Sequence, residues 1–364
     1  MNLKRLTEAM QAANVANMIV SDPYSIRYLT GYYTDPGERL LALIVPVEGP
    51  LTLILNDLFP PYQHQHLEGV NVVTYHDGEP AVEAMAEHLL DGVTSIDKYW
   101  PSHFLLRLMQ AKPNLQPVDR TDLIDGLRAI KTEEELAIMR EASRLNDQVM
   151  AQVIKKLEED PLSEREMADY AKQLYAETGH ESVSFEPIIA YGANGSDPHH
   201  VNGDATLKQG DLVIIDIGGL YKGYASDMTR TICVGTPRPR ALEVYRVVKH
   251  ANEAAIEAVK PGVPLCEIDQ TARRHIDCAG YGKYFTHRLG HFIGQEAHEA
   301  GDVSKFNEEP CQVNQVFSIE PGVYLPDNFG VRIEDLVAVT EDGCEVLNHF
   351  TKELLIINPD LSDH

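Results

Sequence analysis

The stretch DLVIIDIGGLYKGYASDMTRTICV, residues 211–234, decides the fold of the C-terminal part of the chain. Two apolar runs flank a glycine-containing turn, and each run carries one aspartate, Asp216 and Asp227. This pattern is typical of an antiparallel hairpin. The residue numbers of facing residues in a hairpin have a constant sum. A turn centred between Tyr221 and Lys222 therefore predicts that the two aspartates face each other, with Cβ atoms about 5 Å apart.

Facing carboxylates indicate that a positive group lies between them, because like charges across a strand pair are destabilising. For a single acid, an ordinary solvated position would be the favoured interpretation. Asp216 lies in the run VIIDIGG, however, and its neighbours along the strand are nearly all apolar, which argues against exposure. A bound cation is the simplest group that satisfies both observations.

A second stretch, VFSIEPGVYLPDNFGVRIEDLVAV at 316–339, repeats the pattern. Its two glutamates, Glu320 and Glu334, are centred on Asp327, inside the turn signal Pro-Asp-Asn. We therefore predict two hairpins, each presenting a pair of carboxylates to one site. Four carboxylates together form a metal site more plausibly than any one of them alone.

Histidines supply the nitrogen donor that such a site would use. The segment THRLGHFIGQEAHE, residues 286–299, contains His287, His291 and His298. A lone histidine is more often structural than a ligand, but three within twelve positions, beside glycines, favour a functional interpretation. The segment HHVNGD, which begins at His199, adds two more just before the first hairpin.

The chain has 364 residues, which predicts two domains. Short apolar runs alternate with helical stretches over residues 1–125, as in a small α/β domain, and we expect a linker at 126–131. A capping box of Thr132 and Glu135 opens the second domain, 132–364, and another at Ser163 opens a further helix. Hairpins covered by helices on one side make this domain α+β.

Composition narrows the function classes. A net charge of −25 argues against nucleic acid and anionic membranes as partners, and no run is apolar enough to span a membrane. The five cysteines are an odd number without a CxxC pair, so neither a disulfide framework nor a thiolate zinc site is predicted. The N-terminus lacks the apolar core of a signal peptide, and we expect a cytoplasmic protein.

Taken in order, these motifs resemble one known family. IDIGGLYKGYASDMTRT, GHFIG around His291, SIEPGVY around Glu320 and VRIED around Glu334 are similar to the motifs of the pita-bread metallopeptidases, which include methionine aminopeptidase, aminopeptidase P and prolidase. The close resemblance covers about residues 125–355. The region before it resembles the creatinase-like N-terminal domain of prolidases in size and pattern, a domain that methionine aminopeptidases typically lack.

The resemblance implies a pair of divalent ions bridged by a hydroxide, with Mn²⁺ as our choice and Co²⁺ or Zn²⁺ as alternatives. The implied metal ligands are Asp216, Asp227, His291, Glu320 and Glu334. The implied catalytic residues are Glu320, which would also shuttle a proton, His298 and His199. The implied substrate-binding residues are His287, Arg332 and Arg39, although a structural partner for one of the carboxylates is an equally good interpretation of Arg332. A homodimer is implied as well, because a loop containing Glu38 and Arg39 can approach the other subunit's site in prolidases.

By resemblance the expected reaction is hydrolysis of the Xaa-Pro bond in dipeptides, as in prolidase. The nearest alternative is an aminopeptidase P, which cuts the same bond in longer peptides; a metal-free creatinase-like hydrolase and a noncatalytic binding protein are further alternatives. Two departures from the family pattern bear on specificity. Phe292 replaces a glycine beside His291 and is expected to make the pocket wall more apolar or narrower. The segment AGDVS after Glu299 lacks the Pro and Arg that several dipeptidases use near the substrate's carboxylate.

Overall fold

The computed structural model describes residues 2–59 and 67–361, and the chain divides into two compact units, Met1–Arg128 and Ala129–His364. The helices of the first unit are α1 (Asn2–Ala12), α2 (Pro23–Thr30), α3 (Ala81–Ala86), α4 (Ser102–Ala111) and α5 (Asp122–Ala129), and its strands are β1 (Asn17–Val20), β2 (Ala42–Pro46), β3 (Leu51–Asn56), β4 (Val70–Tyr75), β5 (Val93–Ile96) and β6 (Gln116–Val118). The strands form one mixed sheet in the order β4-β3-β2-β1-β5-β6.

Helices cover both faces of this sheet. Successive residues of each strand point to opposite sides, and the apolar side chains on both sides are buried against helices. Met18 and Val20 of β1 pack with α1, α2 and α5, whereas Ile19 packs with α3 and α4. The unit is therefore an α/β sandwich, as predicted. The stretch expected to be a linker, 126–131, is partly helical, since α5 continues to Ala129.

The second unit contains four long helices and fourteen strands within the described residues. The helices are α6 (Glu133–Glu159), α7 (Glu164–Glu177), α8 (Pro239–Ala258) and α9 (Leu265–Cys278), and the strands are β7 (Ser182–Val183), β8 (Ile188–Tyr191), β9 (Leu212–Ile217), β10 (Gly219–Tyr221), β11 (Tyr224–Ala225), β12 (Met228–Val234), β13 (Gly290–Phe292), β14 (Glu299–Val303), β15 (Val316–Ile319), β16 (Gly322–Leu325), β17 (Phe329–Arg332), β18 (Asp335–Val339), β19 (Cys344–Val346) and β20 (Ile356–Ile357).

Two pairs of helices cover the sheets of this unit. Helices α6 and α7 pack on β8, β9 and β12, and α8 and α9 pack on β13 and the strands from β15 to β18. The predicted capping boxes are present at the starts of α6 and α7, where Thr132 and Ser163 accept hydrogen bonds from the third residue of each helix. None of the helices in the described parts of either unit combines the length and apolarity needed to cross a membrane.

The register predicted for the first hairpin is wrong by two residues. Asp216 of β9 lies opposite Thr229 of β12, not opposite Asp227. The reason is the turn, in which Lys222 (φ 48°) and Gly223 (φ 78°) both adopt left-handed conformations, so its centre lies one position later than expected. Because the shift is an even number of residues, both aspartates still lie on the same face.

The second hairpin has the predicted register. The pairs Ile319–Asp335 and Gly322–Arg332 lie on either side of the two glutamates, so Glu320 and Glu334 occupy facing positions. Both fall in short breaks, between β15 and β16 and between β17 and β18. These breaks free the two glutamates from strand pairing at the edge of a cavity.

Candidate active site

The carboxylates and histidines of the two hairpins meet in one cavity of the second unit, with a volume of about 640 Å³. The lining residues are Phe185, Glu186, Ile188, Pro198, His199, Asp216, Asp227, His287, Arg288, His291, His298, Glu320, Tyr324, Arg332 and Glu334. A cavity of this size accommodates a small peptide. All five ligands predicted from the sequence lie in this wall.

Three of the predicted ligands form a compact cluster. One ligand atom each from Asp227, His291 and Glu334 lies within 4.8 Å of the other two, and all three side chains are buried. His291 Nε2 lies 3.6 Å from Asp227 Oδ2 and 3.4 Å from Glu320 Oε1. These separations exceed hydrogen-bond length, which leaves room for an ion between the groups.

The carboxylates also have oxygen atoms without hydrogen-bond donors. Buried Asp216 Oδ1, Asp227 Oδ1 and Glu334 Oε1 accept no hydrogen bond within the described residues. A buried carboxylate oxygen without a donor or a cation is costly. Divalent metal ions prefer oxygen ligands of this kind together with an imidazole, so the residues present fit a metal centre.

The electrostatics of the cluster indicate the same need for positive charge. Burial, together with the neighbouring carboxylates Glu334 and Asp216, raises the pKa of Asp227 well above its usual value. Burial and the charge of Glu320 do the same to the pKa of Glu334, and burial raises the pKa of Glu320 to about 7. Burial lowers the pKa of His291, which keeps the imidazole neutral and able to bind a metal.

Asp216 is stabilised differently, by an internal cation. Arg332 donates from Nη2 to Asp216 Oδ2 at 2.7 Å and from Nε to the hydroxyl of Thr229 at 3.1 Å. The Thr229 hydroxyl in turn donates to Glu334 Oε2 at 2.8 Å. Thr229 therefore connects the two hairpins, and it reaches this position because it lies opposite Asp216 in β12.

Backbone geometry brings His291 to the cluster. A Cβ atom on Gly290 would lie 1.8 Å from the carbonyl oxygen of Ser318, so only glycine permits β13 to approach β15 this closely. The approach lets the His291 N–H donate to Ser318 Oγ at 3.0 Å, and the Ser318 hydroxyl donates to Glu320 Oε1 at 3.1 Å. One serine thus orients a histidine and a glutamate of the cluster.

The remaining predicted histidines line the same cavity. His298 packs edge-to-face on His291 with ring centroids 4.0 Å apart. The ring of His287 contacts the hydroxyl of Tyr324, with 2.9 Å between Nε2 and the hydroxyl oxygen, and burial lowers the pKa of His287 to about 4. His199 lies in the cavity wall with an exposed side chain.

Sequence reasoning missed two polar residues of the site, Thr229 and Tyr324. The Tyr324 hydroxyl accepts a hydrogen bond from Arg332 Nη1 at 3.0 Å, and burial raises the pKa of Tyr324 to about 12. A usable signal exists for Tyr324, because it lies four residues after Glu320 and so projects from the same face in an extended segment. Thr229 could be found only from the correct hairpin register.

The expectation for Phe292 is wrong. Phe292 is buried and stacks on Phe317 in the core, with ring centroids 5.6 Å apart, and it is absent from the cavity wall. Successive residues of a strand point to opposite sides, so the residue after His291 points away from the site. Arg39 belongs to the other unit, where its guanidinium forms two hydrogen bonds with Asp77, both at 2.9 Å.

Comparison with known proteins gives matches over almost the whole chain. Residues 137–341 match the sequence model of metallopeptidase family M24, and residues 2–130 match that of the creatinase/prolidase N-terminal domain. An uncharacterized peptidase of Staphylococcus aureus is 36% identical over 343 residues, which cover 92% of this chain and 94% of that protein.

Two of the similar solved structures extend this result to the fold. A prolidase from Thermococcus sibiricus superposes with a TM-score of 0.92 at 35% identity, covering 98% of both chains. The dipeptidase PepE from Mycobacterium ulcerans superposes with a TM-score of 0.90 at 35% identity, covering 98% of this chain and 97% of its own.

Proposed function

The chain belongs to metallopeptidase family M24, and from this premise we propose that it hydrolyses the Xaa-Pro bond of dipeptides. The observation that carries the proposal is a set of buried carboxylate oxygens, on Asp216, Asp227 and Glu334, that have no donor among the described residues and lie around a neutral His291. The likeness to a prolidase and a dipeptidase over 98% of the chain supports the choice of substrate.

We propose two divalent ions as cofactors, Mn²⁺ first and Co²⁺ or Zn²⁺ as alternatives, held by Asp216, Asp227, His291, Glu320 and Glu334. An oxygen-rich ligand set with one imidazole favours such ions over thiolate-preferring ones. When bound, the ions would lower the pKa of a shared water and polarise the scissile carbonyl group. The homodimer and the cytoplasmic location expected from the sequence belong to the same proposal.

The protein's own residues would orient the substrate and move the proton. Glu320 would take a proton from the attacking water and give it to the departing proline nitrogen, a role that requires a carboxylate within hydrogen-bond reach. His298 and His199 would contact the substrate and the tetrahedral intermediate from the cavity wall. Tyr324 and Arg332 would hold the orientation of His287 and Asp216.

A second candidate function is the release of the first residue from longer Xaa-Pro peptides. A neighbouring cavity of about 450 Å³ shares three wall residues, Glu186, Ile188 and His199, with the candidate active site. A longer peptide could extend into this space. Chain length of the preferred substrate therefore separates the two candidates.

The test compares the dipeptide Ala-Pro with the tripeptide Ala-Pro-Ala in the presence of Mn²⁺. We expect the higher kcat/KM for the dipeptide, and a preference for the tripeptide would favour the second candidate. Removal of metal by a chelator should abolish hydrolysis and added Mn²⁺ should restore it. Full activity after complete chelation would contradict the metal-dependent mechanism.

The variant Asp216→Asn tests the site itself. It should lose activity by roughly 1,000-fold or more, because the ions supply several kcal/mol of transition-state stabilisation. Asp342→Asn removes the same charge from an exposed turn and should retain full activity. Equal activity of both variants would contradict a role of Asp216 in the metal centre.

A further inference from the structure

Two arginines line the candidate active site, and only one of them is held by a carboxylate. Arg332 is buried and bound to Asp216. Arg288 is exposed in the wall, and among residues 2–59 and 67–361 no acidic side chain forms an ion pair with it. Its guanidinium is therefore available to an anion that enters the cavity.

The proposed substrate brings such an anion. An Xaa-Pro dipeptide carries its C-terminal carboxylate on the proline itself, only a few bonds from the scissile amide. A carboxylate that enters a partly desolvated cavity needs a cation or several donors. The planar guanidinium of arginine matches a carboxylate with two parallel hydrogen bonds.

The other arginines considered from the sequence are already bound to carboxylates. Arg332 uses its guanidinium for Asp216, Tyr324 and Thr229. Arg39 forms a two-hydrogen-bond ion pair with Asp77. Binding a substrate carboxylate through either arginine would require breaking these contacts, whereas Arg288 forms no such contact with any residue that the structure describes.

The position of Arg288 suits this role. It precedes His291 by three residues, and its charge contributes to lowering the pKa of both His291 and His298, so the guanidinium lies within electrostatic reach of the cluster. Apolar side chains of Phe185 and Ile188 line the same cavity and can contact the proline ring. The apolar wall matches the ring of a C-terminal proline, and the guanidinium of Arg288 matches its carboxylate.

We propose that Arg288 binds the C-terminal carboxylate of the dipeptide and thereby selects substrates that end at the proline. The inference rests on the proposed Xaa-Pro hydrolysis, and it assigns to Arg288 the positive charge that the segment AGDVS lacks. Arg288 is a specificity-determining residue in this scheme.

The test measures kinetics with Ala-Pro, Ala-Pro amide and Ala-Pro-Ala. Arg288→Ala should raise KM for Ala-Pro by roughly 10- to 100-fold, the range for losing hydrogen bonds between charged groups. Its kcat should change little, and kcat/KM for the amide should stay the same, since the amide has no carboxylate. Arg288→Lys should recover part of the loss because it keeps the charge without the planar fork.

Arg246→Ala is the matched control, because Arg246 is exposed on α8 and is absent from the cavity wall. It should leave all three substrates unaffected. The inference is overturned if Arg288→Ala leaves KM for Ala-Pro unchanged, or if it lowers kcat/KM for acid and amide by the same factor.

Calorimetric binding distinguishes a failure of this inference from a failure of the proposed function. If the wild-type protein hydrolyses none of these peptides, binding of Ala-Pro and Ala-Pro amide can be measured directly on the Mn²⁺-loaded protein. Tighter binding of the acid that disappears in Arg288→Ala supports the inference even then. Equal binding of acid and amide by the wild type overturns it.

Discussion

The two hairpins that carry the carboxylates differ in how they hold them. In the first hairpin, Asp216 lies inside a continuous strand and is bound by Arg332 at 2.7 Å. In the second, Glu320 and Glu334 lie in breaks between strands. Asp227 resembles the second group, because it lies between β11 and β12, outside strand pairing.

Asp216 therefore has a counter-charge within the protein, whereas the carboxylates of Asp227 and Glu334 depend on a cation that binds from outside. Arg332 compensates Asp216 within the protein. Asp227 and Glu334 each have an oxygen that accepts no hydrogen bond from the described part of the chain, and burial with neighbouring carboxylates raises the pKa of both. The same Asp→Asn substitution should therefore have opposite effects in the two places when no metal is bound.

The largest effect expected from this difference between the two hairpins is a contrast in stability. In metal-free protein, Asp216→Asn should lower the free energy of unfolding by about 3 kcal/mol, because it leaves buried Arg332 without its carboxylate. Asp227→Asn should instead raise it by roughly 1 kcal/mol, because a buried negative charge is removed from beside Glu334. Urea denaturation in the presence of a chelator measures both, and shifts of the same sign would contradict the distinction.

The pH dependence follows from the direction of these pKa shifts. Acids whose pKa is raised by folding bind more protons in the folded state than in the unfolded state. Stability of the metal-free wild type should therefore fall as pH rises from the ordinary carboxyl value near 4.5 through the value of about 7 for Glu320. Asp227→Asn should reduce this slope, and an unchanged slope would mean that Asp227 and Glu334 do not affect each other's protonation.

The next prediction concerns the hydroxyl that connects the two hairpins. Thr229→Val should reduce metal affinity by roughly 10- to 100-fold, because Glu334 and Arg332 both lose a hydrogen bond to Thr229. Calorimetric titration with Mn²⁺ measures the change. Thr229→Ser keeps the hydroxyl and should restore most of the affinity.

Thr231→Val is the matched control for that variant. Thr231 is buried two residues further along β12, and within the described residues its hydroxyl bonds only the backbone of Arg332. This variant should lose stability to a similar extent while keeping nearly normal metal affinity. If both valine variants lose metal equally, the effect of Thr229 is one of general stability and not of ligand orientation.

Much of the fold and of the site composition could be predicted from the sequence. Periodicity and capping signals identified the α/β and α+β units, and the matches to the creatinase/prolidase N-terminal domain and to family M24 confirm the predicted pita-bread fold. The acids and histidines of the motifs line one cavity. This grouping could be predicted because the face on which a strand residue lies follows from its position in the sequence. Their individual roles in catalysis stay predictions.

The errors have physical causes. The donors to Asp216 and Glu334 come from other strands, so Arg332 and Thr229 could be connected to them only with the correct register. The prediction that Phe292 affects the pocket is wrong because adjacent strand residues face opposite sides, so Phe292 points away from the side that His291 faces. The predicted register of the first hairpin is wrong because glycine prefers the second central position of a tight turn, and Gly223 at that position moves the turn centre one residue later.

The smallest predicted effect addresses that turn directly. Lys222 has φ 48°, a conformation that asparagine adopts more readily than lysine, and Asn-Gly is the preferred pair for a two-residue turn of this kind. Lys222→Asn should raise the free energy of unfolding by about 0.5 kcal/mol and leave kcat/KM unchanged. Gly223→Ala should lower stability because alanine disfavours φ 78°. A destabilising effect of Lys222→Asn would contradict the expectation that the left-handed conformation of Lys222 is a source of strain in this turn.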